Sequence, residues 1–449
     1  MKTFHESARD IPVIYEADLC VLGGSCTGLF AAVRAARLGA RVVIVEKDNC
    51  FGGTATTAMV NVWHSLWDTE GKKQIIAGLT EEVLDRLDRR GVLQRNGKTD
   101  PSVGFAFNSE ELKIELDELA SETGLKVYFH TLFVDPLVSE GKLRAVAVEN
   151  KSGRGAIMAG MFIDATGDGD LAARLGCETY RAPHLQPATA CARFSNWESL
   201  GNDSRRYQEF LREFGQEYGL PDGFAWGAFV PGSDIYMMAA TRIPGMDSSN
   251  ADDLTRGEIE GRRQVRAIQA ILKRAVPASR ISLQALPSRL GLRESRHVRC
   301  AYQLTGEDVL EGRRFDDPIA QGSYRVDIHH QDKPGITLRY LDGHEEYCCP
   351  GRPAECGRWR PERPENPTYY QIPFRSLTPR GPFDNLLVAG RMLDADPVAN
   401  GAVRVMVNLN QTGEAAGIAA TLALDAGCAP AALEPARLRA ELERGGSAL

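Results

Sequence analysis

The chain has 449 residues, 43% of them hydrophobic, and a formal net charge of −7. This length and composition are typical of a globular protein with one large α/β domain and room for a second, inserted domain. Lysine and arginine are spread along the chain without a basic block, which argues against nucleic acid as the main partner. No apolar run approaches the length of a membrane span, and the first residues lack the apolar core of a secretion signal, so the expected location is the cytoplasm.

The segment 17–53 carries the strongest motif of the sequence. Its residues predict a short strand at 19–22, a glycine turn, a helix over 29–38 and a second buried strand over 42–45. Binding of the adenosine half of a dinucleotide requires this order. A diphosphate would lie on the free N–H groups at the helix N-terminus, and Glu46 would accept hydrogen bonds from ribose hydroxyls.

The glycine turn departs from the usual GxGxxG pattern. Gly23, Gly24 and Gly28 are present, but Ser25 stands where the second required glycine belongs. A serine adds a Cβ where backbone and pyrophosphate come close, and its hydroxyl can offer a compensating hydrogen bond. The complete context of strand, turn, helix, strand and acid supports nucleotide binding in spite of this change.

The next part of the chain alternates between helices and strands. Apolar spacing predicts helices over 75–90 and 109–123, the second with Ser109 as N-cap. Three short strands are expected between residues 125 and 150, the last two joined by a turn at Gly141. A strand at 161–163 then runs into Ala165, Thr166, Gly167, Asp168 and Gly169, where a glycine pair after a buried strand permits close approach to a ligand. Taken alone, this second turn also fits an ordinary strand-to-helix junction.

The middle of the chain changes in character and the end returns to the first pattern. We predict a first part of the nucleotide-binding domain at 1–185, a substrate domain at 186–370 with a long helix over 254–275, and a second part of the nucleotide-binding domain at 371–449. In the last part, residues 385–389 predict a buried strand and 412–424 a helix of small residues that packs tightly.

The ten cysteines include no CxxC pair. We therefore predict no metal site and interpret most cysteines as buried thiols. Cys348, Cys349 and Cys356, with His344 nearby, lie in a stretch rich in proline, glycine and arginine. A metal site is the alternative at this one place, but we interpret the stretch as an irregular surface loop with free thiols, because regular ligand spacing is missing.

Three separated blocks of sequence carry a resemblance to a known family. They are VLGGSCTG with VEKDNCFGGTAT, IDATGDGD, and NLLVAGRMLDAD with VRVMVNLNQTGEAAG. Together they resemble the FAD-dependent oxidoreductases related to fumarate reductase flavoproteins, which have a glutathione-reductase-like FAD fold. The resemblance implies FAD as cofactor and an α/β architecture, in which a discontinuous Rossmann-like FAD-binding domain holds an inserted α+β substrate domain.

The resemblance also implies which positions contact FAD. The predicted contacts are Gly23, Gly24, Ser25, Cys26, Thr27 and Gly28 at the pyrophosphate turn; Glu46 and Lys47 beside the ribose; Gly52, Gly53 and Thr54 by the pyrophosphate and flavin; Val134 by the adenine; Ala165, Thr166, Gly167 and Asp168 at the second strand end; and Gly390, Arg391, Asp396, Val405 and Gln411 along the ribityl chain and ring. Arg391 stands where many related flavoproteins have an aspartate.

Three residues are predicted to be catalytic. His64 follows the flavin-side loop and His329 has Asp327 two positions earlier on the same strand face, so either imidazole could exchange a proton. Arg293 could hold a substrate carboxylate in a bidentate clamp, together with Arg296 or Arg375. For each histidine the alternative is a hydrogen-bonded core residue.

These features predict a dehydrogenase or reductase that acts on a small polar molecule, with a carboxylate as one candidate group, by hydride transfer at flavin N5. An FAD monooxygenase or oxidase of secondary metabolism, and a flavin subunit that needs a redox partner, are the alternatives. A second dinucleotide motif for NAD(P)H is missing, as is a cysteine pair for a disulfide reductase. The electron partner and the oligomeric state therefore stay open.

Overall fold

The computed structural model describes residues 2–98, 104–201, 203, 205–349 and 352–449. The helices are α1 (Cys26–Arg37), α2 (Leu79–Arg89), α3 (Ser109–Glu122), α4 (Asp170–Arg174), α5 (Tyr207–Phe214), α6 (Ala251–Ala275), α7 (Gly306–Leu310), α8 (Pro397–Val403), α9 (Met406–Ala426) and α10 (Pro435–Arg444).

The strands are β1 (Val13–Leu22), β2 (Val42–Val45), β3 (Val62–Trp63), β4 (Leu93–Arg95), β5 (Phe105–Phe107), β6 (Lys126–Tyr128), β7 (Leu132–Ser139), β8 (Lys142–Asn150), β9 (Gly153–Asp164), β10 (Thr179–Arg181), β11 (Ala192–Ser195), β12 (Trp226–Phe229), β13 (Tyr236–Ala239), β14 (Ser282–Ala285), β15 (Arg296–Val298), β16 (Pro318–Gly322), β17 (Val326–His329), β18 (Ile336–Arg339), β19 (His344–Cys348), β20 (Glu355–Arg358), β21 (Tyr370–Pro373) and β22 (Leu386–Val388).

A seven-stranded sheet forms the centre of the fold. Strands β6, β2, β1, β9 and β22 run parallel to one another, and β7 and β8 add an antiparallel extension to the first half of β9. Buried β-branched and aliphatic side chains fill β2 and the end of β1, as expected for parallel strands covered on both faces. The predicted α/β fold with a Rossmann-like sheet is confirmed, and the carboxyl ends of β1, β2, β9 and β22 meet at one edge.

The two ends of the chain are joined by close packing of α1 against α9. A Cβ at Gly413 would lie 2.0 Å from the carbonyl oxygen of Thr27, and one at Gly417 would lie 2.0 Å from that of Ala31. Only glycine therefore permits this distance between the helices. The small-residue helix predicted at 412–424 is confirmed and is longer than predicted, since α9 begins at Met406.

A buried ion pair crosses the same helix interface. Arg34 Nε donates to Glu414 Oε2 at 2.6 Å, and the backbone N–H of Leu79 lies 3.2 Å from both carboxylate oxygens. The side chains of Arg34 and Glu414 are 7% and 1% exposed. The pair ties α1 to α9 and to the start of α2.

The middle of the chain contributes to several cores. Most buried apolar residues from Ala188 to Leu290, including those of α6 and many of β11 and β13, pack around a core of their own. Residues from Leu304 to Val326 instead contribute to the core that contains α1 and α9. The predicted domain boundaries stay predictions.

Several local predictions are corrected by the structure. The helix predicted over 75–90 begins at Leu79, because Gly78 precedes it with a φ of +68°. The N-cap of α3 is Asn108 rather than Ser109, since the Asn108 side chain accepts the N–H of Glu110 and Ser109 is buried. The stretch interpreted as an irregular loop contains β19 and β20, which pair antiparallel in a four-stranded sheet with β17 and β18.

Among the described residues, no helix has both the length and the apolar character needed to cross a bilayer.

Candidate active site

The glycine turn between β1 and α1 is tightly closed. A Cβ at Gly28 would lie 1.9 Å from the carbonyl oxygen of Gly23, and Gly23 itself has a φ of +104°. Ser25 is the N-cap of α1, and its hydroxyl accepts the N–H of Gly28 at 3.4 Å. The first-turn N–H groups of Cys26 and Thr27 have no acceptor within the helix, as in any α-helix, so they are available to an anion.

Glu46 lies directly beside this turn. Its two carboxylate oxygens accept the N–H of Gly24 at 2.5 Å and that of Asp48 at 2.8 Å. Burial raises the pKa of this carboxyl group, and the two N–H donors oppose the rise. A carboxylate has about four lone-pair sites, so capacity for two ribose hydroxyls remains. Lys47, the next residue, is exposed.

The second strand end brings Asp168 and Arg391 together. Arg391 Nη2 donates to Asp168 Oδ1 at 2.7 Å, and a Cβ at Gly167 would lie 2.3 Å from the Arg391 guanidinium. Burial alone would raise the pKa of Asp168, but Arg391 and the hydroxyls of Ser295 and Ser248 lower it to about 2. Asp168 is therefore ionised, and Arg391 covers the glycine that follows β9.

Asp164, the last residue of β9, organises the same turn. Its carboxylate accepts the hydroxyl of Thr166 at 2.7 Å and the N–H of Ala172 at 3.0 Å. Burial raises its pKa to about 6 in spite of these donors. This residue was not predicted from the sequence, although an acid at a strand end before a glycine pair is a signal for it.

The loop at 52–54 packs against the phosphate turn. Gly52 N donates to Gly24 O at 2.9 Å, and a Cβ at Gly53 would lie 2.9 Å from the Ser25 Cβ. Farther along, Arg289 N–H bonds to Thr57 O, so the segment that leads to Arg293 lies on this loop. The loop therefore links the nucleotide turn to the middle of the chain.

The remaining predicted cofactor residues occupy defined places around this edge. Val134 lies at an irregularity in the β7–β8 pairing, where its backbone is left out of the ladder. Asp396 caps α8 by accepting the N–H of Ala399 and also accepts that of Gly306, each at 2.8 Å. Val405 is the N-cap of α9, and Gln411 exchanges two hydrogen bonds with the backbone of Gln321.

A cluster of titratable side chains lies between the first and middle parts of the chain. His329 Nε2 is 3.3 Å from Asp327 Oδ1, and the Tyr324 hydroxyl donates to Asp327 Oδ2 at 3.0 Å. The ring of His64 meets the ring of Tyr324 edge-on, with centroids 4.1 Å apart. The two histidines predicted from the sequence are thus brought together through Tyr324 and Asp327.

Two arginines complete this cluster. Arg404 Nη2 lies 3.2 Å from Asp327 Oδ2, and Arg293 Nη1 donates to Pro187 O at 2.6 Å and to the hydroxyl of Thr189 at 2.8 Å. Burial and the positive charge of Arg404 lower the pKa of Arg293 to about 10, so the Arg293 guanidinium is still charged at neutral pH. Arg404 directly precedes Val405, a predicted flavin contact.

The charges in the cluster set the protonation of His329. Burial and the nearby Arg293 lower its pKa to about 4, against the opposite effect of Asp327. Burial opposes ionisation of Asp327, but His329, Arg404 and Arg293 hold its pKa well below the ordinary value. At neutral pH the cluster therefore contains two cations, one carboxylate and a neutral imidazole.

Two other arginines considered for the clamp lie elsewhere. Arg296 donates to Asp168 O at 2.8 Å and to Asp170, next to the second strand end. Arg375 pairs with Asp317, and half of its side chain is exposed. The arginine that joins Arg293 is Arg404, which the sequence analysis missed because it lies alone in the short connection between α8 and α9.

The residues at the sheet edge fit an FAD molecule. The turn at 23–28 has no space for a Cβ at Gly23 or Gly28. The first turn of α1 presents free N–H groups, and Glu46 lies at the end of β2. These are the parts that a dinucleotide requires: close backbone approach for the diphosphate and a carboxylate for the ribose.

A family model described as FAD dependent oxidoreductase matches residues 18–442. The chain belongs to this family. FAD is accordingly its cofactor, and the protein is an FAD-dependent oxidoreductase. The narrower relation to fumarate reductase flavoproteins stays a prediction.

The chain is also similar to a curated protein, digeranylgeranylglycerophospholipid reductase 2 of Methanothermobacter thermautotrophicus, with 27% identity over 212 residues. The match covers 46% of this chain and 53% of that protein, so it spans about half of the relative's length.

Two solved structures are similar over 96% of this chain. A geranylgeranyl bacteriochlorophyll reductase-like protein from Thermoplasma acidophilum is 14% identical, with 83% of its chain covered and a TM-score of 0.46. The myxobacterial chondrochloren halogenase CndH is 15% identical, with 79% of its chain covered and a TM-score of 0.48.

Proposed function

We propose that this flavoprotein is a dehydrogenase or reductase of a small polar metabolite that carries a carboxylate. The observation that supports this is the pair Arg293 and Arg404, two nearly enclosed guanidinium groups near one carboxylate, Asp327, which forms an ion pair with Arg404. With His329 neutral, the cluster has one positive charge in excess. A substrate carboxylate would compensate that charge and form charge-assisted hydrogen bonds with the two guanidinium groups.

Arg293 and Arg404 would bind and orient this substrate. Arg293 is held by Pro187 O and the Thr189 hydroxyl, so its guanidinium is fixed before the substrate arrives. Arg404 is fixed by the carboxylate and the carbonyl of Asp327. Fixed donors lose little freedom on binding, which favours a defined orientation of the carboxylate.

His329 would exchange the proton that accompanies substrate oxidation or reduction. If its Nε2–H points at Asp327, as the 3.3 Å separation indicates, the lone pair of the neutral ring lies on Nδ1. The Tyr324 hydroxyl and Arg404 hold Asp327 in place for this role. Bound FAD supplies the hydride chemistry at N5.

The experiment follows the flavin colour of the holoenzyme without oxygen. Small carboxylates and their uncharged amides are added to the oxidised protein to look for bleaching, and to the photoreduced protein to look for recovery of the colour. Arg293→Gln and Arg404→Gln are compared with Arg363→Gln, whose side chain is half exposed and pairs with Glu311. Loss of one charge-assisted contact should weaken binding of the carboxylate substrate roughly 10- to 150-fold, while Arg363→Gln should behave like the unmodified protein.

Each alternative gives a different result. Equal rates with acids and amides, or unchanged rates in both arginine variants, would overturn the carboxylate assignment. Reoxidation by air much faster than by any organic acceptor would indicate an oxidase or monooxygenase. Turnover that appears only after addition of a co-purifying protein would indicate a flavin subunit with a redox partner.

A further inference from the structure

The antiparallel sheet β17–β20 carries a second group of chemically active side chains, away from the FAD edge. Glu346 on β19 is directly opposite Cys356 on β20, and His344 lies two residues before Glu346 on the same strand. Since residues two apart share a face, the three side chains project from one side of the sheet. One potential ligand atom from each lies within 4.8 Å of the others, and His344 Nε2 is 3.3 Å from Glu346 Oε1.

Neighbouring groups prepare this cluster rather than neutralise it. Tyr340 OH donates to the other Glu346 oxygen, Oε2, at 3.1 Å, so Oε1 is the oxygen that faces His344. Arg358, the cross-strand neighbour of His344, directs its guanidinium at the carbonyl oxygens of Arg360 and Asp342. The Arg358 guanidinium is therefore directed away from the Glu346 carboxylate and the Cys356 thiol.

Cys348 lies near this group but is not one of its members, which are His344, Glu346 and Cys356. It lies two residues after Glu346 and therefore shares its strand face.

The donor set identifies the class of metal. One imidazole nitrogen, one carboxylate oxygen and thiol sulfur together suit zinc, whereas magnesium and calcium take oxygen ligands. Bond lengths of zinc sites place tetrahedral ligand atoms roughly 3.3 to 3.8 Å apart. The ligand atoms of the cluster lie within 4.8 Å of one another, and their side chains are partly or fully exposed.

We propose that His344, Glu346 and Cys356 bind a zinc ion as its three protein ligands, with water in the fourth position. The ion would tie β19 to β20, the edge strand of the sheet. The cross-strand row Asp327, Leu338, Glu346 and Cys356 connects this site to the substrate cluster, about 10 Å away across two strand spacings. The site is independent of the function proposed above, since it uses none of the substrate-binding side chains.

Zinc binding is measured directly on tag-free holoenzyme that has been stripped with a chelator and kept reduced with a non-thiol reductant. Equilibrium dialysis against zinc chloride, followed by elemental analysis, gives the zinc content per chain. The variants are His344→Ala and Cys356→Ser. Cys349→Ser is the matched control, because Cys349 is a cysteine of the same segment and lies outside the cluster.

The site predicts one zinc per chain in the unmodified protein and in Cys349→Ser. His344→Ala and Cys356→Ser should weaken zinc binding at least roughly tenfold. Mutation of a residue that only hydrogen-bonds to a metal ligand can already cause a loss of this size. Flavin content of each variant, read from the visible spectrum, shows that the protein is folded. Absence of zinc from the unmodified reduced protein, or equal zinc affinity in Cys356→Ser and Cys349→Ser, would overturn the proposal.

Discussion

Replacement of Glu414 by alanine should destabilise this protein more than replacement of any exposed charged residue. Glu414 is fully buried and neutralises Arg34, whose side chain is only 7% exposed. Its removal leaves a buried guanidinium without a counter-charge, which costs about 3 to 5 kcal/mol. The N–H of Leu79 also loses its acceptor. We therefore expect a decrease of about 4 kcal/mol in the free energy of unfolding, measured by denaturant titration of the tryptophan fluorescence.

The matched control is Glu443→Ala. Glu443 pairs with Arg439 one helical turn away, and both side chains are about half exposed, at 48% and 49%. Such pairs contribute little, so the change should stay within about 0.5 kcal/mol. The double variant Arg34→Met with Glu414→Leu removes both charges and should recover most of the loss. If Glu414→Ala costs no more than Glu443→Ala, the argument that this pair joins the two ends of the chain is refuted.

Two further predictions concern the cofactor turn and the substrate cluster. Gly28→Ala should lower FAD retention on dialysis by at least roughly tenfold, because the added Cβ would collide with Gly23 O. The control is Gly357→Ala, which should retain FAD because no atom lies within 4 Å of its Cβ. Equal FAD retention in the two variants would contradict the tight turn. The pKa of His329 is about 4 in the folded protein, below its ordinary value of 6.5, so the unfolded chain binds more protons between these two pH values. The contribution of His329 to the free energy of unfolding should therefore rise with pH across this window and be lost on acidification. Unfolding free energies at pH 4.5 and 7 should then differ less in His329→Gln than in the unmodified protein; an equal difference would contradict the shift.

Much of the nucleotide-binding half could be predicted because its signals are local. The strands at 19–22 and 42–45, the glycine turn and the acid at the end of β2 follow one another within one βαβ unit. The helix of small residues near the C-terminus was also recognised. What the sequence could not provide was the direct packing of Gly413 on Thr27, since it joins residues from opposite ends of the chain.

The substrate cluster could be predicted only in part. Asp327 and His329 were placed together correctly because side chains two apart on a strand share a face. Tyr324 and Arg404 were missed, since nothing in the local sequence indicates that they meet His64 and Arg293 in the folded protein. Strands β19 and β20 were missed because their surroundings are rich in proline and glycine, which are typical of loops.

The proposed function depends on binding of a carboxylate by Arg293 and Arg404 next to the flavin. The most direct test is a titration of the oxidised holoenzyme with a small dicarboxylate such as malonate, followed by the change in the flavin absorption spectrum. We expect a saturable spectral change that is lost in the double variant Arg293→Gln with Arg404→Gln and absent with the uncharged diamide. A spectrum that does not change with malonate or any other small carboxylate, or one that changes equally in the double variant, would contradict it.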